Sequence, residues 1–392
     1  MKMNFLRRLC AVIIGITFLV SGLSKIIDPV GTMLIVTEYA KLLHVGFIIQ
    51  AAKVIGIVLS TLEALTGLAL ITGVIRKIAA WITFVLVGIF TAITVFLLIK
   101  NPVMDCGCFG EAIHLDHLQS FIKNVALLVL SLIAFIPMKD LGGPKPRKWV
   151  SFGIAALSVL YAVLYSNTHI PIADFTEFAP GAELMASLDD DIEADNHYEP
   201  AFIYEKDGQR GSFPIYALPD STWTFVEADT LFVDGIGKRK GHPVLSFRDS
   251  QGEYRDRMAS EGKVIVFSVY DPEKANWERI HKNYNQVLEA GGQPLLIVAS
   301  YPLEIDRYSI PIDMSVYYAD YKTLITLNRY NGGASYFSDG ELIEKWGHKD
   351  FPESLGWHLT ADPVEQNSHF ILKRRLKAQG FCLYLAALLL LV

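Results

Sequence analysis

Apolar residues run almost unbroken through five stretches in the first 165 positions, and a mixed, alternating pattern replaces them afterwards. The stretches are Leu9–Ile27, Val45–Thr72, Ile78–Ile99, Leu118–Met138 and Trp149–Tyr165. A helix crosses a bilayer core with roughly 20 apolar residues, so the five predict five transmembrane helices. The second is long enough to tilt. It also carries Gly46, Gly56 and Gly67, small residues that let neighbouring helices approach closely. The first follows a basic start (Lys2, Arg7, Arg8), as a signal peptide would. No small-residue cleavage site follows, because Ser24-Lys25-Ile26-Ile27-Asp28-Pro29 comes next, so it reads as a retained span.

The lysines and arginines between the stretches set an expected orientation. Arg76 and Lys77 join the second to the third, and Lys139, Lys145, Arg147 and Lys148 join the fourth to the fifth. The alternate loops hold little beyond Lys41 and Lys100. By the positive-inside rule the N-terminus is cytoplasmic, and the 100–117 loop and everything after the fifth helix face outward. The expected location is a bacterial inner membrane, with the soluble part in the periplasm.

From about Asn167 to Phe370 the chain is polar, and its acidic run Leu188–Glu193 reads as a solvated linker. Short alternating segments, Ala201–Tyr204 and Thr230–Val233, bounded by Lys206-Asp207-Gly208 and Asp234-Gly235, predict strands and a hairpin. From Pro243 the pattern becomes strand and helix in turn. Val244–Phe247 opens it, Val264–Val269 is a buried strand, and a helix is expected from Pro272 to about Ala290. Pro294–Ser300 is another buried strand, and Ser335–Ile343 is a hairpin around Asp339-Gly340. A small α/β layer fold follows. The last apolar run, 378–392, follows Lys373, Arg374, Arg375 and Lys377 and is a candidate short sixth span. The expected domains are therefore 1–140, a fifth helix at 149–166, a β-rich segment at 167–242, and an α/β domain at 243–358.

Composition fits a chain that uses lipid as solvent over part of its length. The 392 residues are 52% hydrophobic, with a mean hydropathy of +0.32. A formal net charge of −6 and the lack of a basic stripe interleaved with aromatics exclude nucleic acid as a partner. The expected partners are the bilayer and an envelope redox or secreted protein.

Four cysteines are too few for a disulfide scaffold, so redox chemistry rests on one pair. Cys106 and Cys108, in Asp105-Cys106-Gly107-Cys108-Phe109-Gly110, lie two apart in a short loop between spans. Two thiols at that spacing face one partner and can close a disulfide or share a metal. The metal alternative is Cys106, Cys108, His114 and His117, a thiolate–imidazole set suited to zinc or copper. Two small buried residues in a tight loop are the plain structural reading. Cys10 reads as an apolar packing residue. Cys382 would start the sixth segment on the outward side, where it could resolve a disulfide. Glu63 lies deep in an apolar span, which requires a partner, a proton or a wet cavity around it. It is either half of a structural ion pair or a group that binds protons or a quinone.

Two resemblances sharpen this picture. Ser21-Gly22-Leu23-Ser24-Lys25 with Asp28-Pro29 resembles the entry motif of DoxX-like membrane proteins, and Glu63 in Leu62–Leu70 matches their second helix. The Cys-Gly-Cys-Phe-Gly loop is similar to the MauE branch, the methylamine-utilisation membrane proteins associated with disulfide formation. Over Leu9 to Pro137 the resemblance implies a four-helix bundle with a thiol-redox association, and it implies Lys25 as the partner of Glu63. Residues Pro243 to Trp346 resemble thioredoxin-like domains. Where those carry Cys-x-x-Cys, this chain has Asp271-Pro272-Glu273-Lys274-Ala275; where they carry a cis-proline, it has Asn331-Gly332-Gly333-Ala334. A thioredoxin-like shape without thiols suits docking. The expected function is thiol–disulfide exchange by Cys106 and Cys108, with electrons passed onward, a quinone being one acceptor. The other class is a membrane scaffold or assembly factor without enzymatic activity.

Overall fold

The computed structural model describes residues 2–100, 106–137, 146–184, 198–206, 209–214, 219, 222–232, 243–300, 302–308 and 310–390. The chain divides into two compact units. One is built from residues 1–176, 346–352 and 368–392, the other from 177–345 and 353–367.

The first unit is helical. Its elements are α1 (Lys2–Ile27), α2 (Pro29–Leu42), α3 (Gly46–Thr72), α4 (Arg76–Lys100), the short strand β1 (Cys108–Glu111), α5 (His117–Phe135) and α6 (Pro146–Ser166). Five of the helices are long and apolar enough to cross a membrane: Phe5–Ile27 within α1, and α3, α4, α5 and α6. They coincide with the five apolar stretches of the sequence. α1 and α3 pack with their backbones nearly touching. A Cβ on Gly22 would lie 2.5 Å from the Ala64 nitrogen, and one on Gly67 would lie 2.6 Å from the Gly15 oxygen. Lipid gives helices no hydrophobic reason to associate, so close packing of small residues takes over that task.

The basic start of α1 closes other helices. Arg7 donates to the Ala134 and Pro137 carbonyls at 3.2 and 2.7 Å, at the end of α5. Arg8 donates to Leu70 at 2.7 Å and to Ile71, at the end of α3. Carbonyls at a helix C-terminus lack partners within the helix and carry partial negative charge, so guanidinium groups belong there.

α2 departs from the hydropathy pattern, which leaves 28–44 as a loop. Asp28 caps it, its side chain accepting from the Gly31 N–H at 2.9 Å, and Pro29 stands at the first helical position. At 14 residues it is too short to span, and it packs against α3 and β1.

The second unit holds two sheets. β2 (Tyr198–Lys206), β3 (Gln209–Pro214) and β4 (Thr224–Phe232) form an antiparallel sheet in the order β3-β2-β4. Next come α7 (Arg257–Ser260), β5 (Lys263–Val269), α8 (Trp277–Glu289), β6 (Gln293–Val298), β7 (Val316–Tyr318), α9 (Tyr321–Leu327), β8 (Gly333–Ser338), β9 (Glu341–Trp346) and α10 (Gly356–Thr360). The second sheet has the order β7-β6-β5-β8-β9. β5 runs parallel to β6 and antiparallel to β8. The β5-α8-β6 crossover followed by the β8-β9 hairpin is the thioredoxin-like arrangement, with β7 added at one edge. The strand β5 is buried on both faces, which is why it reads as a continuous apolar run.

Several local expectations need correction. Val244–Phe247 is not a strand. Leu245 and Phe247 are buried in the core, but the segment pairs with no ladder, and the neighbouring Arg248 makes only isolated bridges. The helix expected from Pro272 is a three-residue turn, Pro272–Lys274, and α8 starts afresh at Trp277. Asn276 interrupts it by accepting from the Arg279 N–H at 3.0 Å, which makes it the cap. Neither β7 nor α9 is evident from the sequence pattern. The run 188–193 lies outside the described residues. Residues 378–390 end a continuous helix, α11 (Pro363–Leu390), which is not among the five helices apolar enough to cross a membrane. Its end lies beside α6, where the Tyr384 hydroxyl comes within 3.3 Å of the Ser158 hydroxyl.

Candidate functional site: the cysteine loop and its cavity

The Cys106–Gly110 turn is possible because of two glycines. Gly107 and Gly110 sit at φ +64° and +61°, the left-handed region that side chains with a Cβ avoid. A Cβ on Gly107 would also lie 2.5 Å from the Ile35 side chain of α2. The turn brings the Cys106 and Cys108 sulfurs to 2.6 Å from each other. Cys106 is buried at 7% exposure, and Cys108 is partly buried.

Both walls of the loop are pinned through its carbonyls. The Tyr39 hydroxyl of α2 donates to the Cys106 carbonyl at 2.8 Å. The Ser21 hydroxyl of α1 lies 2.7 Å from the Cys108 carbonyl and 2.6 Å from a Glu63 carboxylate oxygen. A hydroxyl has one proton, so it serves one of these acceptors at a time. Lys25 donates to both Glu63 oxygens, at 2.8 and 2.9 Å, and to Ser21 at 3.3 Å. Glu63 is completely buried and Lys25 is 6% exposed. The pair therefore satisfies both charges inside the bundle and connects, through Ser21, to the backbone of the cysteine loop.

The two thiols are electrically unequal. The hydrogen bond from Cys106 pulls the Cys108 thiol down to about 5, with the Lys123 ammonium adding charge and a hydrogen bond; burial opposes them. The same sulfur–sulfur hydrogen bond, with burial, pushes Cys106 well above the ordinary thiol range. These influences favour a Cys108 thiolate accepting from a Cys106 thiol. Burial and the two neighbouring thiols also raise the Tyr39 phenol, so it stays a donor. Lys123 Nζ also stands 4.8 Å from the centre of the Phe109 ring, a cation–π contact that holds it over the loop.

A cavity of about 200 Å³ opens beside the sulfurs, bounded by α1, α2, α3, α4 and α5. Its wall is apolar at Phe18, Ile35, Phe90 and Leu127, and polar where Lys25, Tyr39 and Lys123 reach it.

Sequence reasoning names Cys106, Cys108, Lys25 and Glu63, and the structure brings all four around one loop and its hydrogen bonds. It passes over Lys123, Tyr39 and the role of Ser21. Lys123 had a signal: a lysine inside an apolar stretch needs a reason to be there. Tyr39 was hidden because α2 itself was read as loop. The alternative metal set is not assembled: among the described residues no three His, Cys, Asp or Glu side chains are placed to hold a metal ion. His114 and His117 are therefore not gathered with the cysteines. Cys10 is buried in the bundle core, and Cys382 is exposed along a different groove, with Tyr165 and Phe381, away from the pair's cavity lining.

Residues 3–137 match the family model described as methylamine utilisation protein MauE, and this stretch contains every residue of the site. The chain is a MauE-like membrane protein with a thioredoxin-like part. Residues 198–234 of its β-rich segment match a domain of unknown function (DUF8463). Protein TlpB of Flavobacterium psychrophilum is 25% identical over 179 residues, 45% of this chain and 48% of that protein. The MauE-like chain thus spans about half the length of this curated relative. No solved structure matches.

Proposed function

We propose that this redox-associated membrane protein carries out thiol–disulfide exchange at Cys106 and Cys108. The observation that carries the reading is the facing pair of sulfurs with unequal acidity. A thiolate is the attacking species in exchange, and here the surroundings lower the Cys108 thiol and raise Cys106. Oxidation forms the Cys106–Cys108 bond and releases two electrons and the Cys106 proton; an incoming dithiol, itself oxidised to a disulfide, returns both electrons and that proton. The Lys25–Glu63 pair and Ser21 act as positioning groups for the loop.

The lysine and arginine distribution supports a cytoplasmic N-terminus, with the cysteine loop and the α/β unit on the periplasmic side of a bacterial inner membrane. The thioredoxin-like part has no thiol, so it serves as a docking module. Its β5–α8 and α9–β8 turns, Asp271–Ala275 and Asn331–Ala334, are the edge where thioredoxin-like proteins meet their substrates. In this chain Asn331 clips the two turns together.

A membrane-impermeant alkylator applied to spheroplasts, with and without prior reduction, tests the whole reading. The expected result is labelling of Cys106 and Cys108 only after reduction, together with protease cleavage of the α/β unit in intact spheroplasts. Two thiols that resist oxidation, or labelling only after lysis, would overturn it.

A further inference from the structure

Resting on the exchange reading, we infer that the cavity beside the cysteine pair binds the ring of a lipid-soluble quinone, which takes the electrons from the pair directly. The sulfurs are covered on one side by α2. Ile35 lies against Gly107, Tyr39 holds the Cys106 carbonyl, and Cys106 is 7% exposed. A small apolar molecule in the cavity lies directly against both sulfurs, the buried Cys106 included, while a protein dithiol meets only the partly buried Cys108.

The cavity's size and lining select the class. Drug-sized pockets span about 300–1,000 Å³, so about 200 Å³ suits a single ring with its tail left among the helices. The apolar wall, including the Phe90 and Phe18 rings, matches a flat apolar head. Lys123 supplies a donor for a ring oxygen, the kind of polar group that orients a ligand in such a pocket. The site lies within the membrane-spanning bundle, so its occupant partitions from lipid, and a dithiol there needs an acceptor of two electrons.

The reaction balances on groups present. The Cys108 thiolate and Cys106 thiol form an S–S bond, the S–H bond of Cys106 breaks, and two electrons pass to the quinone. Its two oxygens take one proton from Cys106 and one from the Lys123 ammonium, giving the hydroquinone. Water then returns a proton to Lys123.

The test uses full-length protein in lipid nanodiscs, reduced and freed of reductant, with a decyl-tailed benzoquinone as probe. Thiol loss at Cys106 and Cys108 and hydroquinone absorbance are followed together, and diamide closes the same pair in a parallel sample. The expected result is one hydroquinone per disulfide. At least a tenfold slower reaction is expected in Ile93→Trp and in Leu127→Phe, which fill the cavity, while diamide still closes the pair in both. Two substitutions are used so that misfolding of one, seen as loss of closure by diamide, leaves the other to decide. Closure by diamide with no reaction with quinone, or unslowed quinone reaction in a folded cavity-filled variant, overturns the quinone site and leaves the exchange reading standing. Failure of diamide to close the wild-type pair overturns both.

Discussion

Lys25 reaches across from α1 to hold both carboxylate oxygens of Glu63 on α3, at 2.8 and 2.9 Å, with neither group meaningfully exposed. The contact sits beside Gly22 and Ala64, one of the close approaches of the two backbones. It also touches Ser21, and through it the carbonyl of Cys108. A charge pair so placed locks helix register and loop position together.

Breaking that pair should be worse than removing it. Glu63→Gln leaves the Lys25 ammonium buried without an anion, and loss of one partner of a buried pair costs about 3–5 kcal/mol. Lys25→Met with Glu63→Leu removes both charges and should recover most of that stability. Thermal unfolding of the purified protein in detergent, compared across the single and double variants, measures the difference. Equal loss in all of them would show that the pair does not lock the helices.

Alkylation of the reduced protein should follow Cys108 and begin at low pH. Its thiol is pulled down to about 5, so the thiolate forms as pH rises through that value and its reactivity is already at plateau near neutrality. Cys106, pushed up, should stay unlabelled until Cys108 is blocked. Peptide mapping after brief iodoacetamide pulses from pH 4 to 9 reads both rates.

Lys123→Met should move the Cys108 profile toward that of an ordinary thiol. It should also lower the reduction potential of the pair, because the lysine stabilises the reduced, anionic form and has no such partner in the disulfide. Cys106→Ala should raise the Cys108 thiol further still, since the hydrogen bond from Cys106 is the largest favourable influence on it. Glutathione redox titration of the lysine variant supplies the potential; an unchanged midpoint would remove Lys123 from the site.

Gly107→Ala should displace the loop rather than merely strain it. Left-handed backbone costs an L-residue roughly 1–2 kcal/mol, and the new methyl would also meet Ile35 at 2.5 Å. Slower closure of the disulfide by diamide is the expected result, with the variant still inserted in the membrane. Ile35→Ala in the same chain should restore part of the rate by making room.

In the thioredoxin-like part, Asn331→Ala should unclip the two turns. The Asn331 amide donates to the Asp271 carbonyl at 2.7 Å and its oxygen accepts from the Asp271 N–H at 2.9 Å. Leaving those backbone groups unsatisfied costs about 1–3 kcal/mol each where they are buried. Loss of partner capture in a crosslinking pull-down is expected, and charge reversal at Glu273 and Lys274 should weaken capture without altering the circular dichroism spectrum. Unchanged capture in both would make the unit a structural cap.

Much of the protein was legible in its sequence because lipid is an uncompromising solvent. Every backbone group in a bilayer must be bonded within its own segment, so runs such as Ile78–Ile99 could only be helices. The same logic exposed Glu63, since a carboxylate in such a run demands an explanation. β5 and the Asp339-Gly340 hairpin were equally plain, the one from unbroken burial and the other from turn chemistry. The tertiary structure alone decided what depends on contacts distant in sequence. α2 became a helix, and a cover, through the Asp28 cap and its packing on α3. Lys123, apparently one more residue of an apolar span, became the cation beside Cys108 because α5 sets it over the cysteine loop. Among the described residues His114 and His117 do not join the two cysteines as a metal set, because spacing along a chain fixes which donors are near in sequence, while the folding of the loop fixes which ones converge.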